Sequence, residues 1–243
     1  MKNSVISRLY VTLIFTLFSV IIQAQVTGGT IKYKHTVYFE FENMPPDMPK
    51  SSETFTRLLF NSNEAIYEKD PDVKIETDAN DNTPRMFRRM RERSSKTNYT
   101  NLEKSISIEQ LNLFGKDFLI SDSIENIKWK VSAGEQKVIA GYTCMKASYK
   151  DSLSNVVVFF TPQIPKKFGP DKYGGLPGII LEMQSAQTHI IAIDIKTDVP
   201  VIKIPSKGDK MNRRDFEKMR DEKMKEMRQM GGGRGGEVRV IRQ

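Results

Sequence analysis

A passage dense in glycine and proline separates two apolar runs in the second half of this sequence. It spans residues 162–178, where eight of seventeen residues are Gly or Pro. Gly costs a helix about 1 kcal/mol and Pro about 3 kcal/mol relative to Ala, so this passage cannot be helical. The flanking runs, 155–160 and 179–185, are rich in β-branched, aliphatic and aromatic residues. We therefore predict a loop of defined backbone path between two strands, called the Gly-Pro loop below.

The Gly-Pro loop and the strand region before it carry the motifs of a known family. Residues 175–180 have the sequence GLPGII, and residues 140–147 have the sequence AGYTCMKA. Over about 28–200 the chain resembles the GLPGLI family, which consists of proteins exported by Bacteroidetes-type bacteria. The resemblance implies an exported protein without an assigned activity. It also implies proximity to outer-membrane transport systems.

The N-terminus is typical of a cleavable secretion signal. Lys2 and Arg8 precede an apolar stretch at 9–22, and Ala24 is a small residue suited to the cleavage point. An apolar stretch of about fourteen residues is short for a membrane-spanning helix, which needs roughly 20. We therefore predict a signal peptide at 1–24, a periplasmic or secreted mature chain, and no transmembrane segment after signal removal.

The net charge of +8 is concentrated at the two ends of the chain. The predicted signal carries +2 and residues 207–243 carry +5, which leaves +1 for 25–206. A nearly neutral main body lacks the basic surface that nucleic acids require, so we expect no nucleic-acid partner. The predicted organisation is a signal peptide, a β-rich domain at 28–205, and a charged Met-, Arg- and Gly-rich tail at 207–243. We expect the tail to be helical and then disordered, and to add little to the stability of the domain.

Alternation of apolar and polar residues predicts β-strands along most of the chain. It is clearest over 31–41, where Ile31, Tyr33 and His35 share one face. Further strands are predicted at 54–61, 64–69, 96–102, 105–112, 116–121, 127–132, 137–149, 155–160, 179–185 and 188–198, with a turn at 133–135. Short strands with frequent turns indicate an all-β antiparallel fold. We expect a single open, curved sheet or half-barrel, with a sandwich as the second choice.

The sequence gives little support to an enzyme. G-x-S-x-G, H-E-x-x-H and C-x-x-C are absent, and the two histidines are His35 and His189. His35 lies on the apolar face of the first strand, where a core histidine is the simpler interpretation. The single Cys144 excludes an internal disulfide and is predicted to be a buried thiol in a strand. We expect a non-enzymatic protein without a cofactor.

The Gly-Pro loop is the candidate recognition site, because a rigid loop can present apolar side chains at low entropic cost. The candidate residues for a ligand or partner are Phe168, Tyr173, Gly174, Gly175, Leu176, Pro177 and Gly178. The alternative is that these glycines and prolines only turn the chain between strands. We expect the three glycines at positive φ.

Two patterns outside the loop also indicate chemistry. The triplets D-S-I at Ser123 and D-S-L at Ser152 resemble acceptors for O-glycosylation, although Asp and Ser are also common turn formers. Met224, Met227 and Met230 form M-x-x-M-x-x-M, and thioether sulfur is a suitable ligand for Cu(I). These methionines share one face of a helix, so docking of that face is the simpler interpretation.

These features predict an exported envelope protein that binds an apolar ligand or another envelope protein, such as a component of an outer-membrane transport system. The alternative is a hydrolase that acts on an envelope peptide or sugar, and Cu(I) binding by the tail is a minor alternative. An apolar cavity in the sheet would favour the binding protein. A cleft that holds His35 or His189 against a carboxylate and a hydroxyl would favour the hydrolase.

Cleavage after Ala24 predicts that the mature chain begins at Gln25. Mass spectrometry of N-terminal peptides from the envelope fraction should therefore find Gln25 as the first residue. An intact Met1 on folded, membrane-embedded protein would contradict this prediction.

Overall fold

The computed structural model describes residues 26–39, 50–73, 96–150 and 155–231. The predicted signal peptide, the charged segment 74–95, Ser152 and residues 232–243 lie outside the described residues. The described strands are β1 (Gly29–Tyr38), β2 (Ser51–Phe60), β3 (Glu64–Lys69), β4 (Thr97–Asn101), β5 (Ile106–Leu113), β6 (Lys116–Ser123), β7 (Lys130–Ile139), β8 (Tyr142–Lys150), β9 (Asn155–Thr161), β10 (Ile179–Gln184), β11 (Thr188–Lys196) and β12 (Asp209–Asn212). They are followed by helix α1 (Arg213–Gly231).

All of these strands belong to one sheet, in the order β12-β6-β5-β4-β3-β2-β1-β11-β10-β9-β8-β7. Neighbouring strands are antiparallel, except that β12 runs parallel to β6. The prediction of an all-β fold built on a single sheet is confirmed. Within the described ranges, no helix is both long and apolar enough to cross a membrane.

The connection between β6 and β7 shows that the sheet is strongly curled. These strands lie ten positions apart in the sheet order, and at about 4.8 Å per position a flat sheet would separate them by about 48 Å. Residues 124–129 alone connect them, and an extended chain of that length reaches about 25 Å at most. The sheet must therefore bend until its two ends approach each other. Its described edge strands, β12 and β7, do not pair with each other, so the half-barrel stays open.

The interior of the curl is filled by one main hydrophobic cluster. Strands from both halves of the sheet contribute to it, including Leu58 of β2 and Phe160 of β9. The Gly-Pro loop covers these residues and inserts Ile164, Phe168 and Leu176 into the same cluster. Each fully buried large apolar side chain contributes roughly 1.5–3 kcal/mol of transfer free energy, so the loop is part of the core.

The predicted turn at 133–135 is wrong. β7 runs through this segment, and a register shift between Ser132 and Gln136 shows a bulge there instead. The chain reverses at Ala140 and Gly141, whose φ values are 48° and 85°. Two successive residues of positive φ form the two-residue hairpin that matches the right-handed twist of the strands. A Gly in a strand can thus mark a bulge rather than the end of the strand.

β1 keeps its predicted alternation only as far as Tyr33. Ile31 and Tyr33 have no exposed area and belong to the main cluster. Beyond Tyr33 the buried residue is Thr36, whereas His35 is half-buried. His35 therefore lies past the end of the core and is not the core histidine that the alternation predicted.

Cys144 lies in β8 with no exposed area, as predicted. Its thiol donates a hydrogen bond to the Tyr142 carbonyl, with 3.5 Å between sulfur and oxygen. Burial raises the pKa of Cys144 to about 11. The thiol is therefore protonated at neutral pH, which makes it a poor nucleophile.

The described part of the tail contacts the sheet, which differs from the expectation that it adds little stability. Asp209 of β12 forms an ion pair with Lys116 of β6 at 2.6 Å. In the first turn of α1, Phe216 is 4% exposed and packs on Phe118 and Ile120. The Phe118 and Phe216 ring centroids are 5.5 Å apart in an edge-on arrangement. Apolar residues scattered among charges in the sequence thus converge on one docking point.

We expect Phe216→Ala to lower the free energy of unfolding by about 3 kcal/mol, the lower end of the range for truncating a buried Phe, because the cluster around it is small. Urea denaturation followed by circular dichroism measures this change. Met227→Ala on the same helix is the control, since Met227 is 55% exposed, and it should change the stability by less than about 0.5 kcal/mol. Equal stability of the two variants would contradict the docking of α1.

Candidate functional site

A cleft of about 680 Å³ opens on the core face of the sheet, beside the Gly-Pro loop. Strands β2 to β5 form its floor, the Gly-Pro loop forms one wall, and the end of β6 with the first turns of α1 forms the other. The strand register determines which side chains meet on this face. It aligns one row of residues across β2 to β6, namely Leu58, Tyr67, Asn98, Glu109 and Ile120.

The middle of this row is polar although its ends are apolar. Asn98 is 5% exposed and Glu109 is 7% exposed. Thr100 and Ser107 pair with each other in the neighbouring row and also line the cleft. Burying polar side chains costs free energy unless they find partners, so this polar floor is not explained by packing. It makes the cleft the candidate binding site.

Ion pairs connect the polar floor to both walls. Lys96 Nζ lies 2.8 Å from Asp171 Oδ1 in the Gly-Pro loop and 3.3 Å from Glu109 Oε1. Arg213 of α1 contacts the second carboxylate oxygen of Glu109. Burial alone would lower the pKa of Lys96, but the two carboxylates outweigh burial and raise it above its ordinary value. The Lys96 ammonium therefore stays charged at neutral pH.

The charges around the cleft balance among its described lining residues. Five cationic side chains accompany five carboxylates; the cations are Lys96, Lys167, Lys172, Arg213 and Arg220, and the carboxylates are Glu109, Asp122, Glu125, Asp171 and Glu217. At the mouth, Lys172 pairs with Glu125 at 3.0 Å and joins the Gly-Pro loop to the β6–β7 connection. Several of these charges are therefore already paired with one another across the cleft.

Asp171 is held in a backbone conformation that side-chain-bearing residues seldom adopt. Its φ is 56°, in the left-handed region, where Asp is among the better-tolerated residues. Asn98 Nδ2 donates a hydrogen bond to Asp171 Oδ1, and Lys96 pairs with the same oxygen. Such conformations persist only where the surrounding structure enforces them. Here the enforced turn places a carboxylate over the polar floor.

Trp129 and Tyr173 fix the outer part of the Gly-Pro loop. Trp129 Nε1 donates a hydrogen bond to the Gly174 carbonyl at 2.8 Å. The Trp129 ring centroid lies 6.3 Å from that of Tyr173 and 6.2 Å from that of Tyr149. Burial raises the pKa of Tyr173, so its hydroxyl remains protonated at neutral pH. The contacts with Trp129 hold the half-buried Tyr173 ring as a rigid part of the cleft wall.

The predicted recognition residues of the loop occupy different places. Tyr173, together with the adjacent glycines 174 and 175, lines the cleft. Phe168 also reaches the cleft, but it is 3% exposed, and Leu176 is 2% exposed. Phe168 and Leu176 are therefore anchors of the loop in the core rather than displayed side chains. Pro177 is exposed, and neither it nor Gly178 is among the lining residues of the described cleft.

Close backbone contacts, rather than positive φ, require two of the three loop glycines. Gly175 has a φ of 88°, as predicted. Gly174 and Gly178 do not have positive φ, so that part of the prediction is wrong. A Cβ on Gly174 would lie 2.6 Å from the Lys167 carbonyl oxygen, and a Cβ on Gly178 would meet the Thr161 carbonyl oxygen even more closely. Glycine is still needed at both positions, for a steric reason.

Neither histidine is among the described residues that line the cleft. His189 Nε2 lies 2.8 Å from Oε1 of Glu182, a buried residue of β10 whose other oxygen contacts Lys137. Burial lowers the pKa of His35, which is therefore neutral at physiological pH. The described cleft thus does not combine a histidine with a carboxylate and a hydroxyl.

The remaining predicted positions lie apart from the polar floor. Ser123 is exposed on the cleft rim at the end of β6, whereas Ser152 lies outside the described residues, so glycosylation stays a prediction. Met224 and Met227 are 42% and 55% exposed on α1, and the side chain of Met230 lies outside the description. Among the described residues, no group of three His, Cys, Asp or Glu could hold a metal ion.

Sequence reasoning missed the polar floor because alternation was used without strand register. In β4 the apolar Tyr99 lies between Asn98 and Thr100, so alternation assigns Tyr99 to the core face and the other two to solvent. The register places Asn98 on the core face, since it pairs with Tyr67 of the core cluster. Tyr99 lies on the opposite face, where it is also buried, with 1% of its area exposed. The sequence did contain a signal for this polar face. Polar residues occupy alternate positions in two successive strands, at 98 and 100 in β4 and at 107 and 109 in β5.

The Gly-Pro loop also carries the similarity to known sequences. Residues 150–182 match a family described as "Protein of unknown function (Porph_ging)". The match includes β9 and the whole loop, the region that carries the GLPGLI resemblance. This part of the chain is therefore similar to a family of unknown function. A comparison with curated proteins finds no match.

The fold as a whole is similar to part of a solved structure. PNGF-II, in its P21 and C2 crystal forms, superposes with a TM-score of 0.52 at 15% sequence identity, covering 79% of this chain. The chain spans about a third of the length of PNGF-II, at 33% and 32% of the two structures. At this identity the similarity concerns the fold alone.

We expect Gly178→Ala to destabilise the protein by about 2 kcal/mol, as overpacking does, because its Cβ would collide with the Thr161 backbone. Thermal unfolding measured by circular dichroism tests this. Gly134→Ala is the matched control, since a Cβ there meets nothing within 4 Å, and its effect should stay within about 0.5 kcal/mol. If Gly178→Ala were as stable as the control, the close packing of the Gly-Pro loop against β9 would be disproved.

Proposed function

We propose that this protein is an exported, non-enzymatic binding protein of the cell envelope, and that its ligand occupies the cleft. The partner implied by the GLPGLI resemblance, an outer-membrane transport component, is one candidate for such a ligand. The polar floor adds a restriction to the sequence-based prediction of an apolar ligand. A ligand of this cleft has to be compatible with the polar groups that β4 and β5 present on its floor.

The observation that carries the proposal is the fixed, polar floor beneath a rigid loop. Lys96 joins Glu109 of the sheet to Asp171 of the loop, and Arg213 joins Glu109 to α1. Groups that are already held in place lose little conformational entropy when a ligand binds, which favours affinity. Concave sites with a few convergent polar groups are the usual form of ligand sites.

The described geometry favours binding over hydrolysis. The hydrolase alternative depends on His35 or His189 reaching a cleft, and neither is among the described lining residues. The two carboxylates on the floor, Glu109 and Asp171, are each engaged by cations. Export is supported by the signal-like residues 1–24 and by the resemblance to an exported family.

A cleft-filling substitution tests the proposal. In Ser107→Trp an indole replaces a small floor side chain that faces the cleft. The tagged protein and the variant are incubated with a detergent extract of the native envelope, and the retained material is quantified. We expect Ser107→Trp to retain at least tenfold less material than the wild type, with a melting temperature that changes little.

Thr143→Trp is the control, because Thr143 is exposed on β8 and does not line the cleft. It should retain the same material as the wild type. Equal retention by Ser107→Trp and Thr143→Trp would show that the cleft is not the binding site and would overturn the proposal.

A further inference from the structure

Resting on the proposed function, we propose that the ligand of the cleft is an uncharged, polyhydroxylated saccharide. The first step concerns charge. The described lining residues include as many cations as carboxylates, and those of the floor are paired with one another. A charged ligand group on the floor would have to displace one of these pairs or remain unpaired in a partly buried site, which is unfavourable. A ligand without net charge meets neither penalty.

The second step concerns hydrogen bonding. Lys96 has three N–H donors, of which two are directed at Glu109 and Asp171. Asn98 gives one N–H to Asp171, and its amide group also has a second N–H and a carbonyl oxygen. The hydroxyls of Thr100 and Ser107 lie beside these groups on the floor. Donors and acceptors therefore alternate over a few ångströms, and a hydroxyl group, which both donates and accepts, fits such a surface.

The third step distinguishes a saccharide from a peptide that binds as an added strand. A peptide that binds by strand addition needs free backbone N–H and C=O groups at a sheet edge. The floor strands β3, β4 and β5 each pair with a neighbour on both sides, so their backbones are already engaged. The floor offers side chains only. A ligand whose own polar groups are hydroxyls can use these side chains without a backbone partner.

The fourth step concerns the wall. The Tyr173 ring lines the cleft and is held against Trp129 by the hydrogen bond from Trp129 to Gly174. A rigid aromatic surface next to polar groups suits a ring that has an apolar C–H face and hydroxyls at its rim. A sugar ring has this form.

The test uses the same immobilised wild-type protein and the same envelope extract as the Ser107→Trp experiment, and it analyses the retained material. One portion of the extract is treated with periodate, which cleaves vicinal diols, and then quenched; a second portion is digested with protease. Neutral hexose identifies the material that elutes after the untreated extract, and the readout for every portion is the mass eluted per mole of immobilised protein after removal of detergent. We expect periodate to reduce it at least tenfold, protease to leave it unchanged, and the eluted saccharide to pass through an anion exchanger.

A double variant, Thr100→Val with Ser107→Ala, removes the floor hydroxyls without touching the ion pairs. It should weaken saccharide retention about tenfold, since each lost hydrogen bond costs a few-fold in affinity. Ser148→Ala on β8, outside the described cleft, should have no effect.

The possible failures are distinguishable. Cleft-dependent retention that survives periodate but is lost with protease overturns the saccharide while the binding function stands. If the retained hexose binds to the anion exchanger, the saccharide is negatively charged, which overturns the proposal that the ligand is uncharged. Retention that is unaffected by Ser107→Trp overturns the binding function itself.

Discussion

The packing of the Gly-Pro loop inside the curled sheet is the interaction on which the rest of the structure depends. A sheet that bends until its ends approach each other encloses a space too wide for strand side chains alone to fill. Ile164, Phe168 and Leu176 fill it and form one cluster with both halves of the sheet. Because these three anchors fix the loop at both ends, the residues between them have little freedom. Asp171 and Tyr173 are therefore positioned by hydrophobic burial elsewhere in the same loop.

The candidate site lies where this filling stops. The Gly-Pro loop covers the core face on one side, and Phe216 of α1 covers Phe118 and Ile120 on the other. Between them, β4 and β5 present Asn98 and Glu109 instead of apolar side chains. A polar gap between two hydrophobic contacts is stable only if each buried charge has a partner of opposite sign. Lys96 and Arg213 are the partners of the Glu109 carboxylate.

Much of the fold could be predicted from the sequence, because local patterns determine it. Sequence patterns located β1 to β6 and β9 to β11, and the density of Gly and Pro located the loop. The boundary between β7 and β8 was predicted at the wrong residues. The site could not be predicted in the same way. The position of Asn98 beneath Asp171 depends on the register of β4 with β3 and β5, and a shift of one residue would turn every side chain of β4 to the other face. The apolar face of α1 was predicted to dock, but periodicity does not specify that Phe216 makes the buried contact while Met224 and Met227 stay exposed.

The half-barrel is open between its edge strands β12 and β7, and this affects how such a fold can diversify. In a closed barrel the number of strands and their stagger determine the radius. Here the short β12 and the bulged β7 do not pair, so no continuous ring of backbone hydrogen bonds fixes the curvature. The spacing of the two cleft walls is instead determined by side chains of the Gly-Pro loop, of α1 and of the ion pairs between them. Substitutions at a few such positions can reshape the cleft while every strand pairing stays intact, so one scaffold can serve ligands of different size.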